Sequence, residues 1–134
     1  MIEIQPYAAV IFDLDGTLVN TMPDIGAAVN TALDAAGVPS LPDEQVQQLV
    51  GRGLANALRG ALMVSGLEGT KEQVGRYLPV LMEYYEKHPC DFSLPYKGIP
   101  ALLRRLEERG TLIGVLSNKA DSLVQEIVPH IFPT

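Results

Sequence analysis

Two short runs of consecutive apolar residues stand out along the chain, one near each end. They are YAAVIF at residues 7–12 and TLIGVLS at residues 111–117. A run without polar alternation is typical of a strand that is covered on both faces, as in a parallel sheet. The pattern therefore predicts one strand at each of these places.

Most of the remaining chain has the apolar spacing of amphipathic helices. Pro79 is expected to kink or interrupt the fourth helix, and Pro129 to end the last one. The predicted helices cover residues 24–36, 43–50, 54–64, 70–87, 99–110 and 120–128. HPCDFSLPYKG, at residues 88–98, is rich in turn-forming residues and is predicted to be a loop.

Strands that are separated by helices indicate an α/β fold with a parallel sheet. The helical stretch between the two strands is too long for a single crossover, so it is interpreted as an inserted α-helical cap. We expect residues 1–19 and 95–134 to form the core and residues 20–94 to form the cap.

Composition limits the possible partners and compartments. The 134 residues carry a net charge of −6, which argues against broad contact with a nucleic-acid backbone. Cys90 is the single cysteine, so no internal disulfide can form. The N-terminus has no basic region like that of a signal peptide, and no apolar run is long enough to cross a membrane. A cytoplasmic protein without nucleic-acid or membrane partners is the expectation.

The first apolar run leads directly into DLDGT, at residues 13–17. In extended backbone, Asp13 and Asp15 point to the same side, and ligands bind at the carboxyl ends of parallel strands. Two neighbouring carboxylates repel each other unless a cation or a shared proton relieves the repulsion. Mg²⁺ suits such a pair, because it is commonly held by one or two carboxylates together with phosphate oxygens and water.

Simpler interpretations of the same residues remain open. Asp-Gly is a strong turn signal, and the two aspartates could also be a solvated pair without a function. A calcium loop that starts at Asp13 is excluded, because Leu18 stands where the loop needs glycine and Asp24 where it needs glutamate.

DLDGT resembles the first motif of the haloacid dehalogenase-like hydrolases, and VLSN at residues 115–118 resembles their second motif. The helical stretch lies where this superfamily inserts a helical cap. GRG at residues 51–53 and LPYKGIP at residues 94–100 are most similar to the phosphoglycolate phosphatase-like branch. The resemblance implies a Rossmann-like core with a cap and a Mg²⁺-dependent phosphatase of a small phosphorylated metabolite.

The resemblance also implies roles for residues at the strand ends. Asp13 would be the nucleophile that forms an aspartyl-phosphate, and Asp15 would be the acid and base; both would contact the metal, Asp15 through its backbone carbonyl. Gly16 would allow a tight turn near the phosphate, and Thr17 would orient Asp15 or the loop. Because residue 15 is an aspartate, the resemblance implies phosphoryl transfer rather than dehalogenation.

Four further residues are candidates for binding the phosphate or the rest of the substrate. Ser117 would bind phosphoryl oxygens beside the Asn118 backbone N–H, although both residues could instead form an ordinary helix cap. Arg52 would hold an anionic group of the substrate, or would simply be a solvated residue in a turn. Lys119 would add positive potential, or would lie on the surface.

The resemblance further implies a lysine and an acidic pair downstream of the second motif, and the sequence ends at PHIFPT before either. We therefore expect this chain, assayed alone, to be weakly active or inactive. A non-catalytic relic or interaction module is the alternative, as is a phosphomutase of the same superfamily.

Overall fold

A computed structural model of the protein describes residues 8–117, 119 and 121–133. Strand β1 (Ala9–Phe12) pairs in parallel with strand β4 (Leu112–Val115), and Phe12 lies opposite Val115. Two short strands, β2 (Val19–Asn20) and β3 (Leu94–Pro95), pair antiparallel. The strands expected from the two apolar runs are therefore present, although each is shorter than its run.

Four helices lie between β2 and β3 in the chain, and two more flank β4. The helices are α1 (Met22–Ala35), α2 (Asp43–Gln47), α3 (Leu54–Val64), α4 (Lys71–Lys87), α5 (Ile99–Glu108) and α6 (Asp121–Ile131). Parallel strands combined with helices confirm the predicted α/β class. The division into a core of residues 1–19 and 95–134 and a cap of residues 20–94 stays a prediction.

The hydrophobic core is built mainly from the helices that lie between β2 and β3. Helix α1 contributes alternating small and large side chains such as Ala28 and Leu33, and α3 contributes Leu58 and Leu62, all fully buried. Tyr85, near the end of α4, is the largest of the fully buried side chains. This packing holds α1 against α3 and α4. It thereby fixes the helices that lie between β2 and β3 in the chain.

The predicted interruption at Pro79 and the predicted helix end at Pro129 are wrong, whereas a kink at Pro79 stays a prediction. Helix α4 continues through Pro79 without interruption, and α6 continues through Pro129 to Ile131. Proline removes one backbone N–H and its ring crowds the carbonyl four residues earlier. Those carbonyls belong to Gly75 and Gln125, both on exposed parts of the helices, where water can take the place of the missing partner.

The predicted loop over residues 88–98 contains strand β3, which the sequence pattern did not indicate. Helix α2 is shorter than predicted and ends at Gln47. None of the helices in the described part of the chain has the length and hydropathy that a membrane crossing requires.

Candidate active site

The parallel pairing of β1 and β4 brings the two motifs of the sequence to one edge of the sheet. Asp13 directly follows β1, and Ser117 lies two residues beyond β4. Because the strands run in the same direction and Phe12 faces Val115, their carboxyl ends lie side by side. Both residues line the same cavity.

The loop after β1 is a compact turn that is anchored by buried leucines. Leu14 and Leu18 are fully buried, and the N–H of Leu18 donates to the carbonyl of Leu14 at 3.1 Å. Gly16 has a φ of +79°, a conformation that side chains with a Cβ rarely adopt, and its N–H donates to Val19 at 3.0 Å. The turn thereby leaves Asp13 exposed at the strand end, where its Oδ1 accepts the Leu14 N–H at 2.9 Å.

Asp15 is held by two side chains from different parts of the chain. The hydroxyl of Thr21 donates to Asp15 Oδ1 at 2.6 Å, and the ammonium of Lys119 donates to the same oxygen at 2.7 Å. The Asp15 side chain is 30% exposed and the Lys119 side chain only 3%. The carboxylate is thus fixed on one oxygen and still accessible from the cavity.

Lys119 is a buried cation between the sheet edge and helix α4. Its Nζ contacts the Tyr85 hydroxyl as well as Asp15, and it lies 4.8 Å from the centre of the Tyr85 ring. Burial lowers the pKa of the Lys119 ammonium from its ordinary value, while the neighbouring Asp15 carboxylate acts in the opposite direction. Burial and the nearby carboxylates raise the pKa of the Tyr85 phenol, so this hydroxyl stays protonated and available as a hydrogen-bond partner.

Ser117 takes part in a turn before helix α6. Its Oγ accepts the backbone N–H of Lys119 at 3.1 Å. This bond uses a lone pair of the hydroxyl and leaves its hydrogen for an acceptor in the cavity. The accepted N–H lies before α6, which begins at Asp121, so this bond shapes the turn and is not a cap of that helix. The phosphate-binding role of Ser117 stays a prediction.

The cavity that these residues line has a volume of about 460 Å³ and two chemically different groups of lining residues. The polar group, which we call the polar floor, consists of Asp13, Asp15, Thr21, Ser117 and Lys119. The apolar group consists mainly of six side chains, which we call the apolar wall: Met22, Ile25, Val50, Leu54, Leu78 and Met82. The floor lies at the strand ends, whereas the wall comes from α1, α3, α4 and the loop before α3.

The buried carboxylate of Asp24 joins the start of α1 to the segment before β3. Asp24, in the first turn of α1, is 1% exposed. Its two oxygens accept the backbone N–H of Phe92 at 3.1 Å each, and Oδ2 also accepts the Ser93 hydroxyl. This contact fixes the start of α1 to the segment that leads into β3.

The structure brings together most, but not all, of the candidate site residues. Asp13, Asp15, Gly16, Ser117 and Lys119 all line the cavity. The roles assigned to them stay predictions.

The other three candidates are not among the residues that line the cavity in the described structure. Thr17 is exposed and does not line the cavity, and the hydroxyl that holds Asp15 belongs to Thr21 instead. Arg52 is exposed and is likewise outside the cavity lining, although the flanking Gly51 and Gly53 contribute to it. Asn118 lies outside the described residues.

Thr21, Tyr85 and Asp24 were not predicted as members of the site or its supports. Thr21 precedes helix α1 and has the sequence signature of a cap, and Tyr85 has that of a core aromatic residue. For Asp24, the sequence indicated only an acidic residue in the first turn of a helix. The partners of Tyr85 and Asp24 are at least 34 positions away in the sequence, so no local pattern could have identified these two residues. Thr21 is only six positions from Asp15, but its position before a helix indicated a cap rather than this contact.

The donor chemistry of the floor fits a divalent cation. Asp13 and Asp15 offer carboxylate oxygens, the ligand type that Mg²⁺ prefers. Among the described residues there is no cluster of three or more His, Cys, Asp or Glu side chains. A cation held by the Asp13 carboxylate and by Asp15, and completed by water and phosphate oxygens, is an arrangement that these residues can support.

Comparison with known proteins agrees with this geometry. The family model described as haloacid dehalogenase-like hydrolase matches residues 10–131, which includes both strand ends and all the helices between them. The chain belongs to this family. The resemblance inferred from DLDGT and VLSN is thereby confirmed, and with it the predicted Rossmann-like fold with a helical cap.

Curated relatives within the family carry the names of phosphatases. The phosphoglycolate phosphatase of Mannheimia succiniciproducens is 35% identical over 130 residues, covering 90% of this chain and 58% of the relative. The N-acetylmuramic acid 6-phosphate phosphatase of Pseudomonas aeruginosa is 33% identical over 123 residues, covering 92% of this chain and 53% of the relative. The chain thus spans a little over half the length of these relatives.

A solved structure shows the same fold. The crystal structure of a predicted phosphoglycolate phosphatase from Haemophilus somnus superposes with a TM-score of 0.84 at 28% identity, covering 96% of this chain and 59% of that one. The arrangement of strands and helices described above is therefore that of the family.

Proposed function

We propose that the protein is a Mg²⁺-dependent phosphatase that hydrolyses a small phosphorylated metabolite through an aspartyl-phosphate on Asp13. The observation that carries this proposal is the polar floor, where Asp13, Asp15 and Ser117 meet at the carboxyl ends of two parallel strands and line one cavity. The names of the family relatives support the same class of reaction. A cytoplasmic location fits this substrate class.

In the first step, an oxygen of the Asp13 carboxylate attacks phosphorus, and the bond between phosphorus and the ester oxygen breaks. Asp13 suits this role because it is exposed at the strand end and its Oδ1 is oriented by the Leu14 N–H. The departing alkoxide takes its proton from Asp15. The Ser117 hydroxyl donates to a phosphoryl oxygen and so stabilises the charge that develops there.

In the second step, Asp15 removes a proton from water, and the resulting hydroxide attacks phosphorus. The bond between phosphorus and Asp13 breaks and phosphate leaves, so Asp13 is again a carboxylate and Asp15 again carries the proton that it gave up in the first step. Thr21 and Lys119 hold Asp15 at one oxygen, which keeps it beside Asp13 through both steps. The Lys119 contact suits the ionised carboxylate, which is the form that activates water.

A magnesium ion, when bound, would neutralise charge on the transferring phosphoryl group. Asp13 and Asp15 are the residues that would hold it. Their own tasks are those of nucleophile and of proton carrier.

The test is phosphate release by the protein expressed from its complete coding sequence, with and without Mg²⁺. We expect turnover that requires the metal and falls at least about a thousandfold in Asp13→Asn, because the amide cannot act as the nucleophile. Asp34→Asn, an exposed residue of α1, is the matched control and should retain activity. Unchanged turnover in Asp13→Asn would refute the proposed role.

A further inference from the structure

The apolar wall is a feature of the cavity that the phosphoryl chemistry does not need. The reaction requires the polar floor, whereas the wall is available for contact with the part of the substrate that leaves with the ester oxygen. The side chains of the wall come from three helices and a loop: Met22, Ile25, Val50, Leu54, Leu78 and Met82. Beyond the floor, Gln47 and the Tyr96 hydroxyl are the polar side-chain groups among the described lining residues.

Positive charge is scarce around this cavity. Among the described residues that line it, Lys119 is the one with a cationic side chain, and its Nζ is engaged by Asp15 and Tyr85. Arg52 is exposed and outside the lining. A carboxylate on the leaving group would therefore find no cationic partner among the described lining residues apart from the engaged Lys119, and burying an unpaired charge beside the apolar wall is unfavourable.

The cavity is also large for a two-carbon leaving group. Its volume of about 460 Å³ is within the range of pockets that enclose drug-sized molecules. A small anionic ester would occupy the floor and leave most of the wall in contact with water. A longer hydrocarbon group would cover the wall and gain the free energy of apolar burial.

We propose that the preferred substrate is a phosphomonoester whose leaving group is uncharged and presents a mainly hydrocarbon surface longer than two carbons. This inference rests on the proposed phosphatase function and names the substrate class of the same site. It distinguishes this chain from the activity named for its phosphoglycolate phosphatase relatives, whose substrate carries a carboxylate.

The first experiment compares kcat/KM for ethyl, butyl and hexyl phosphate and for phosphoglycolate, with Mg²⁺ and the protein from its complete coding sequence. Primary alkyl esters have similar leaving-group basicity, so differences among them report contacts with the wall. We expect kcat/KM to rise about fourfold per added methylene until the cavity is filled. Phosphoglycolate should be at least about tenfold poorer than hexyl phosphate.

The outcomes separate the two proposals. Turnover that is highest for phosphoglycolate, or that does not depend on alkyl length, would overturn the substrate inference and leave the phosphatase function standing. No turnover of any of the four esters would overturn the phosphatase function and the inference with it.

Leu54→Ala tests the wall directly, because Leu54 lines the cavity at the start of α3. We expect the hexyl-to-ethyl ratio of kcat/KM to fall several-fold. Leu102→Ala is the matched control, since Leu102 is on α5 outside the lining and is 40% exposed. Met82→Ala serves the same purpose if circular dichroism shows that Leu54→Ala is unfolded, and an unchanged ratio in a folded wall variant would contradict the inference.

Arg52→Ala tests the competing assignment. If Arg52 binds an anionic leaving group, its removal should selectively reduce turnover of phosphoglycolate, and that result would overturn the inference. We expect no selective loss, as for Arg76→Ala, an exposed arginine of α4 that is also outside the cavity lining.

Discussion

The helices between β2 and β3 and the parallel pair β1–β4 differ in how completely they bury their apolar side chains. Leu33, Leu58 and Leu81 in the helices have no exposed surface, whereas Ile11 and Leu112 in the strands are 70% and 73% exposed. Neither strand contains a fully buried residue. The region that carries the candidate chemistry is therefore the less well packed of the two.

This difference indicates that stability and chemistry are located in separate parts of the chain. The buried leucines of the helices remove apolar surface from water, which is the main favourable contribution to folding. The strand ends present Asp13 and Ser117 to a cavity, and they need correct placement more than burial. Substitutions in the two regions should therefore have effects of different kinds.

The largest effect on stability is expected for a leucine-to-alanine substitution in the helices, and the same substitution in the strands is its comparison. Leu58→Ala removes a fully buried side chain and should reduce the free energy of unfolding by about 2–5 kcal/mol. Leu112→Ala, at a leucine with 73% exposure, should change it by about 0.5 kcal/mol or less. Urea denaturation measures both values, and equal losses would show that the comparison is wrong.

The part of the site that follows from local sequence could be predicted. Asp13 and Asp15 come just after the first apolar run and Ser117 ends the second, and parallel strands necessarily bring their carboxyl ends to one edge. The helical segment was predicted from its apolar spacing in the same way. The strands β2 and β3 were not, because two residues are too few to show a period.

Contacts between distant residues could not be predicted from one sequence. Asp24 and Ser93 are 69 positions apart, and Asp15 and Lys119 are 104 apart. The apolar wall likewise depends on how three helices pack, since the same leucines and methionines could have faced the core. Arg52 illustrates the limit, because its place between two glycines gave no information about whether its side chain lines the cavity.

A smaller loss of stability is expected from a substitution at Asp24, which joins α1 to the segment before β3. Asp24→Asn keeps the shape of the side chain but replaces charged hydrogen bonds to Phe92 and Ser93 with weaker ones. We expect a loss of about 1–3 kcal/mol in the free energy of unfolding.

Asp34→Asn, on the exposed end of the same helix, is the control and should change stability by about 0.5 kcal/mol or less. A double-mutant cycle with Ser93→Ala should show coupling between the two positions, because each removes the same hydrogen bond. Additive losses would mean that the Ser93 hydroxyl does not contribute to the junction, which would then rest on the Phe92 N–H bonds alone.

The smallest of these effects concerns the point where the two regions meet. Tyr85 belongs to the buried helical core, and its hydroxyl contacts Lys119 beside the polar floor. Tyr85→Phe preserves the ring and its packing and removes only the hydroxyl, so we expect a loss of about 0.5–1.5 kcal/mol in the free energy of unfolding. Tyr84→Phe, at the neighbouring half-buried tyrosine, should be close to neutral.

Turnover should fall in Tyr85→Phe and not in Tyr84→Phe, because Lys119 holds Asp15 and loses one of its two partners. If only stability changed, the hydroxyl would serve the helical core alone, and the two regions would be more independent than the contact suggests.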